Sequence, residues 1–147
     1  MSTVVVDASI ALKWVLPEPD TAIAVALLNE WLTKRVRIVA PSWFAGEVAN
    51  ILYRRARRGA FTMHDAHQAL TGVLDIVERL PESPTEAHHA IDIADATARS
   101  ATYDAMYLAL ARILSVEYWT ADEIFYNATR GIYPQVRLMS AYIASHP

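Results

Sequence analysis

Four carboxylates stand apart in this sequence: Asp7, Glu47, Asp104 and Asp122 each sit among apolar or small residues, far from one another along the chain. A carboxylate in such a setting is costly to bury unless a cation meets it. Two of them follow short apolar runs, in Val4-Val5-Val6-Asp7 and Trp119-Thr120-Ala121-Asp122, and a parallel sheet would bring such strand ends to one rim. Four acids on one rim read as a divalent-metal site. Hard cations such as Mg²⁺ take carboxylate oxygens, retain waters and are completed by substrate phosphate oxygens, so neither histidine nor cysteine is required. Such ions lower the pKa of bound water to make a nucleophile. Paired about 3.5–4 Å apart, they stabilise both the attacking and the leaving oxygen of a phosphodiester hydrolysis.

The elements that must position these acids alternate. Val4 to Val6 is a β-branched run without polar alternation, which suits a strand covered on both faces, with Asp7 at its carboxyl end. A short helix over Ser9 to Val15 is interrupted by Pro17-Glu18-Pro19, and Asp20 can cap a longer one through Trp31 or Lys34. Arg37 to Ala40 reads as a second strand, followed by a helix from about Trp43 to Arg58 that Gly59 closes. Thr62 with Asp65 makes a capping box for a helix to about Val77, and a short strand or a continued helix fits Val77 to Leu80. After the loop Pro81 to Thr85, Thr85 can cap an alanine-rich helix to about Arg99, and Thr102 begins another. That helix is apolar on nearly every face from Asp104 to Leu114, which places it in the interior. Val116 to Thr120 reads as a strand, Asp122 to Thr129 as a helix and Val136 to Met139 as a last strand. The alternation predicts an α/β domain on a parallel sheet, with ligands beyond the carboxyl ends of the strands.

Helix geometry gives the Glu47 segment a track. Positions seven and eleven residues later return to the same face, so Arg54 and Arg58 lie about 10 and 16 Å along the axis from Glu47, the scale of adjacent phosphates. Cations near a helix C-terminus also oppose the macrodipole and commonly form a solvated face, so both readings stand. Asp104 in a first turn and Asp122 at an N-cap have structural roles of the same kind. Ser9 and Thr120 carry hydroxyls beside Asp7 and Asp122, where they can orient carboxylates or metal-bound water, or cap a turn. No Gly-x-Ser-x-Gly elbow surrounds Ser9. His64 and His67 lie three apart on a helix, His88 and His89 diverge, and His146 is near the end; no zinc motif encloses them.

The composition fits one globular domain over residues 1–147, with 54% hydrophobic and 20% charged residues. The absence of cysteine excludes disulfides, thiolate metal sites and a cysteine nucleophile. The N-terminus lacks a basic signal-peptide region, and no apolar run approaches the roughly 20 residues of a membrane span, so a soluble, cytoplasmic protein is expected. A formal charge of −3, from 13 Lys and Arg against 16 Asp and Glu, gives no whole-molecule reason to bind nucleic acid. The basic run Arg54-Arg55-Ala56-Arg57-Arg58 leaves a local footprint.

The segments Val4 to Trp14, Glu47-Val48-Ala49-Asn50-Ile51-Leu52, Tyr103-Asp104-Ala105-Met106-Tyr107-Leu108-Ala109-Leu110-Ala111 and Thr120-Ala121-Asp122-Glu123 together resemble the PIN-domain ribonucleases, and most nearly their VapC-like toxin branch. The resemblance runs from Val4 to about Met139 and implies a three-layer α/β/α domain with a central, mostly parallel sheet of about five strands. It implies a Mg²⁺- or Mn²⁺-dependent endoribonuclease in which Asp7, Asp104 and Asp122 bind metal and Glu47 positions metal or activates water. It also implies an RNA substrate, a cognate antitoxin and a homodimer. The loop Arg99-Ser100-Ala101-Thr102 departs from the family pattern in lacking a glycine.

Two other classes compete. An aspartyl phosphotransferase also uses acids and Mg²⁺ at strand ends, but Asp7-Ala8-Ser9 lacks a paired aspartate, and the only lysines, Lys13 and Lys34, fall too early in the chain. A noncatalytic interaction module would use the acids on a basic partner peptide and its apolar helix faces for dimerisation. A solitary RNA-processing nuclease would keep the chemistry without the antitoxin.

Overall fold

The computed structural model describes residues 2–99 and 102–142. In chain order the elements are β1 (Thr3–Val6), α1 (Ala8–Val15), α2 (Thr21–Thr33), β2 (Arg37–Pro41), α3 (Phe44–Arg57), α4 (Met63–Ile76), β3 (Glu78–Leu80), α5 (Pro84–Ala96), α6 (Tyr103–Leu114), β4 (Glu117–Thr120), α7 (Glu123–Thr129) and β5 (Val136–Leu138), followed by a 3₁₀ turn at Met139–Ala141. Among the described residues the strands form one five-stranded sheet in the order β3-β2-β1-β4-β5. Every neighbouring pair is parallel, with Val5 of β1 opposite both Val39 of β2 and Tyr118 of β4.

The order dictates the layers. The chain steps from β1 through β2 to β3 in one direction and then returns past β1 to β4 and β5, and right-handed crossovers therefore put α1–α4 on one face and α5–α7 on the other. The reversal lies between β1 and β4, where their carboxyl ends open a crevice. The run without alternation in β1 is explained by this cover: Val5 and Val6 are fully buried in the centre of the sheet. In β4 successive side chains serve opposite layers. Trp119 meets Trp31 of α2 edge-on with centroids 5.8 Å apart, whereas Tyr118 stacks on Tyr107 of α6 at 5.8 Å and meets Phe125 of α7 at 5.9 Å. The buried apolar residues form one continuous core. No helix among the described residues is long and apolar enough to cross a membrane.

Local signals hold at several boundaries. The Thr62 and Asp65 capping box opens α4 with both reciprocal hydrogen bonds, and Gly59 after α3 adopts φ +86°, a conformation that only glycine takes without strain. The ambiguous segment after α4 is a strand, paired to β2. Four expectations are corrected. Ser83, not Thr85, caps α5: its hydroxyl accepts from Glu86 N at 3.2 Å, and Pro84 fills a first-turn position where no amide proton is needed. That helix ends at Ala96 rather than near Arg99. Asp20 occupies the N-cap position of α2 without a capping hydrogen bond, because its carboxylate pairs with Lys13 at 2.8 Å. The buried face of α6 also stops short of its end, with Ile113 and Leu114 exposed. Ser100 and Ala101 of the glycine-less loop, and His146, lie outside the described residues.

Candidate active site

Asp7 leaves β1 into the crevice and is the N-cap of α1. It is 7% exposed, a burial that a carboxylate tolerates only when its oxygens are met by donors. Oδ1 accepts from Ser9 Oγ and from Ile10 N at 3.3 Å. Oδ2 accepts from Tyr118 Oη and Thr120 Oγ1, each at 2.6 Å. Tyr118 and Thr120 are two residues apart on β4, so they share a face and reach the same oxygen. Burial nevertheless prevails over these hydrogen bonds and holds the Asp7 carboxyl above its ordinary pKa.

Ser9 and Thr120 also tie the two strand ends together. Ser9 Oγ accepts from Ala121 N at 3.1 Å, and Thr120 Oγ1 accepts from Asp122 N at 3.0 Å. Thr120 thus contacts Asp7 directly and meets Asp122 only through its backbone. Asp122 itself caps α7, its Oδ1 accepting from Phe125 N at 3.0 Å.

Glu47 enters from the first turn of α3 and Asp104 from the first turn of α6. Both line one cleft of about 730 Å³, together with Trp43, Gly46, Asn50, Glu82, Thr102, Tyr103 and Met106. Tyr107 Oη donates to Glu47 Oε2 at 3.1 Å. The Glu47 pKa is pushed up to about 7, first by burial and further by the negative charges of Asp7 and Asp104, against the opposing effect of the Tyr107 hydrogen bond. Tyr107 and Tyr118, buried beside these acids, have phenol pKa values raised in turn, chiefly by desolvation. Asp104 pairs with Arg99 at 3.3 Å, and the same guanidinium lies 5.3 Å from the Phe125 ring centroid.

The fold therefore brings Asp7 and Asp104 within electrostatic reach of Glu47, and connects Asp122 to Asp7 through Thr120. Among the described residues no group of three His, Asp or Glu side chains is close enough to hold one metal ion. Arg54 and Arg58 are exposed at the far end of α3, and Arg55 between them pairs with Glu18 at 3.3 Å. His64 and His67 are exposed on α4, where His67 faces an apolar groove against α3. The two tyrosines are the site residues that the sequence reading missed. The signal for Tyr118 was present, since it stands two residues before Thr120 on a strand; that for Tyr107 was hidden in an otherwise apolar helix.

Residues 4–131 match the PIN domain family. The chain belongs to that family. PIN domains are in general metal-dependent nucleases, and this one has the family's parallel sheet with helices on both faces. Among solved structures, the crystal structure of PAE2754 from Pyrobaculum aerophilum matches with a TM-score of 0.67 and 21% sequence identity, over 97% of this chain and 88% of that one, a likeness of fold. No curated protein sequence matches.

Proposed function

We propose that this PIN domain is a Mg²⁺-dependent endoribonuclease, with Mn²⁺ as a substitute, that hydrolyses RNA phosphodiester bonds as the toxin of a toxin–antitoxin pair. The observation that carries the reading is the burial of Glu47 at a cleft it shares with Asp104, where the charges of Asp7 and Asp104 add to that burial and its pKa is pushed up to about 7. A buried carboxylate with other carboxylates beside it is relieved by a cation.

The donor set is all oxygen, which suits Mg²⁺ or Mn²⁺. Glu47 and Asp104, which face the cleft, would hold the ion with water and phosphate oxygens completing its shell, and Asp7 and Asp122 would contribute charge or ligands from the strand ends. Bound there, the metal would supply a water of lowered pKa and charge stabilisation for the leaving oxygen. The chain's own part is positioning. Ser9, Tyr118 and Thr120 fix the Asp7 carboxylate by hydrogen bonds to both oxygens, and Tyr107 fixes Glu47. As the alternative to holding the ion, Glu47, whose pKa is near neutrality without metal, would accept a proton from the attacking water. Arg54 and Arg58 extend a phosphate track away from it along α3.

Cleavage of a mixed panel of structured RNAs by the partner-free protein tests the reading, with Mg²⁺, Mn²⁺ or EDTA and with Asp7→Asn and Asp104→Asn alongside. Metal-dependent cutting lost in both variants is expected. A folded, metal-binding protein that cuts no RNA in the panel would overturn the nuclease and favour an interaction module. The toxin role, a cognate antitoxin and a homodimer rest on the resemblance of the four acidic segments to the VapC-like branch. A small neighbouring reading frame whose product binds this chain and stops cleavage supports them; without one, a solitary RNA-processing nuclease is the better reading.

A further inference from the structure

Gly46 is a glycine in the first turn of α3, exposed, where glycine weakens a helix relative to alanine. Packing does not require it: a Cβ built there meets nothing within 4 Å, and no positive φ is involved. What its absent side chain does is leave the wall of the cleft open. Trp43, Gly46 and Asn50 stand at i, i+3 and i+7, one stripe of the helix, and all three line the cleft beside Glu47. The opposite wall carries Tyr103, 73% exposed, next to Asp104 in the sequence. Trp43 is fixed edge-on to Tyr107 with centroids 5.0 Å apart, and Tyr107 is the ring that donates to Glu47.

We infer that this cleft seats an unpaired RNA base flanking the scissile phosphate, stacked on Tyr103 or Trp43 and lying against the bare backbone at Gly46, with the Asn50 amide facing its edge. The inference rests on the nuclease reading and adds the residues that hold the base. Glu47, Glu82 and Asp104 make the cleft acidic, so a phosphodiester enters only opposite a cation, whereas a flat, neutral base meets no such barrier. Exposed aromatic rings are the usual platforms for bases splayed from single-stranded RNA, and amides read their edges. The volume of about 730 Å³ is in the range of small-ligand sites and admits a nucleoside.

The test uses a ten-nucleotide single-stranded RNA carrying 2-aminopurine, and the same strand annealed to its complement, mixed in Mg²⁺ with the full chain bearing Asp7→Asn so that the strand stays whole. The expected results are a change in 2-aminopurine fluorescence with the single strand only, and binding weakened about tenfold by Tyr103→Ala but held within about twofold by Tyr103→Phe. Gly46→Ala gives the sharpest contrast: it should raise the thermal midpoint while weakening the single strand about fivefold or more. Parent-like affinity in both Gly46→Ala and Tyr103→Ala, or equal binding of duplex and single strand, overturns the inference. Steady-state cleavage by the chain with Asp7 intact separates the two readings. RNA cut with a KM that neither substitution moves leaves a nuclease without this base site. Base binding that follows the pattern above, with no cutting, leaves the base site and removes the nuclease. Neither binding nor cutting overturns both.

Discussion

Tyr118 and Asp7 lie 111 residues apart in the chain, and the phenol of the first donates to Oδ2 of the second at 2.6 Å across the β1–β4 boundary. Removing that hydroxyl isolates its contribution, because the Tyr118 ring keeps its stack on Tyr107. Tyr118→Phe should destabilise the protein by about 1–3 kcal/mol, the cost of withdrawing a partner from a buried polar group. The measurement is urea unfolding, read as a lower midpoint with an unchanged slope. Because Thr120 donates to the same oxygen, the double variant with Thr120→Val should depart from additivity. An unmoved midpoint in Tyr118→Phe would mean that Thr120 alone satisfies Oδ2.

A cation in the site should make stability depend on pH in a defined sense. Glu47 has a folded pKa of about 7, above its unfolded value of 4.5, so without metal its contribution to stability is complete below about pH 4.5 and is lost as pH rises through 7. A divalent cation binds the ionised form and recovers what is lost. One fixed Mg²⁺ concentration should therefore raise the thermal midpoint more at pH 8 than at pH 5.5, the stabilisation at pH 8 being about 2.7 kcal/mol where that concentration is a hundred times the dissociation constant at pH 8. Glu47→Gln should flatten the difference. Equal shifts at the two pH values, or none, would remove Glu47 from the metal site.

Much of this was legible in the sequence because the strongest signals were local. The β-branched run ending at Asp7, the Thr62 and Asp65 box and Gly59 each fix a boundary by short-range chemistry, and the structure keeps all three. Thr85 misled because Ser83 is a competing cap with a proline after it, a choice made by the loop's path rather than by residue type. Asp20 misled because Lys13, on a different helix, takes its carboxylate. The site shows the same division. Asp7, Glu47, Asp104 and Asp122 stand out by type and setting, but which hydroxyl serves which carboxylate depends on strand register, which the run without alternation in β1 does not encode. Gly46 passes unnoticed in a sequence; its meaning needs the empty space around it.

Arg54 and Arg58 separate two readings that the helix alone leaves equal. If they contact RNA phosphates, Arg54→Ala and Arg58→Ala should each weaken RNA binding at low salt and lower the slope of log affinity against log salt by about 0.7, the single-strand value per phosphate contact. If they only oppose the macrodipole at the end of α3, RNA affinity and its salt slope should stay as they were. Thermal stability should then fall by about 0.3–1 kcal/mol per substitution instead. Titrations at several salt concentrations, with the thermal midpoint of each variant, decide between them.

Glu86 offers a test of the electrostatics away from the site. It is 2% exposed near the start of α5, and its Oε2 has no hydrogen-bond partner among the described residues. Burial, with a smaller effect from Glu82, pushes its pKa up to about 7. The folded value exceeds the unfolded one, so Glu86 favours the folded state fully below about pH 4.5 and loses that contribution as pH rises through 7. Above that range an ionised oxygen is held in a buried place without a donor. Glu86→Gln removes the charge while keeping the shape. The variant should match or fall slightly below the parent at pH 5 and exceed it at pH 8.5, by on the order of 1–3 kcal/mol. Urea unfolding at the two pH values in EDTA keeps the metal site out of the comparison. A variant that tracks the parent at both would mean that Glu86 finds a partner on ionising.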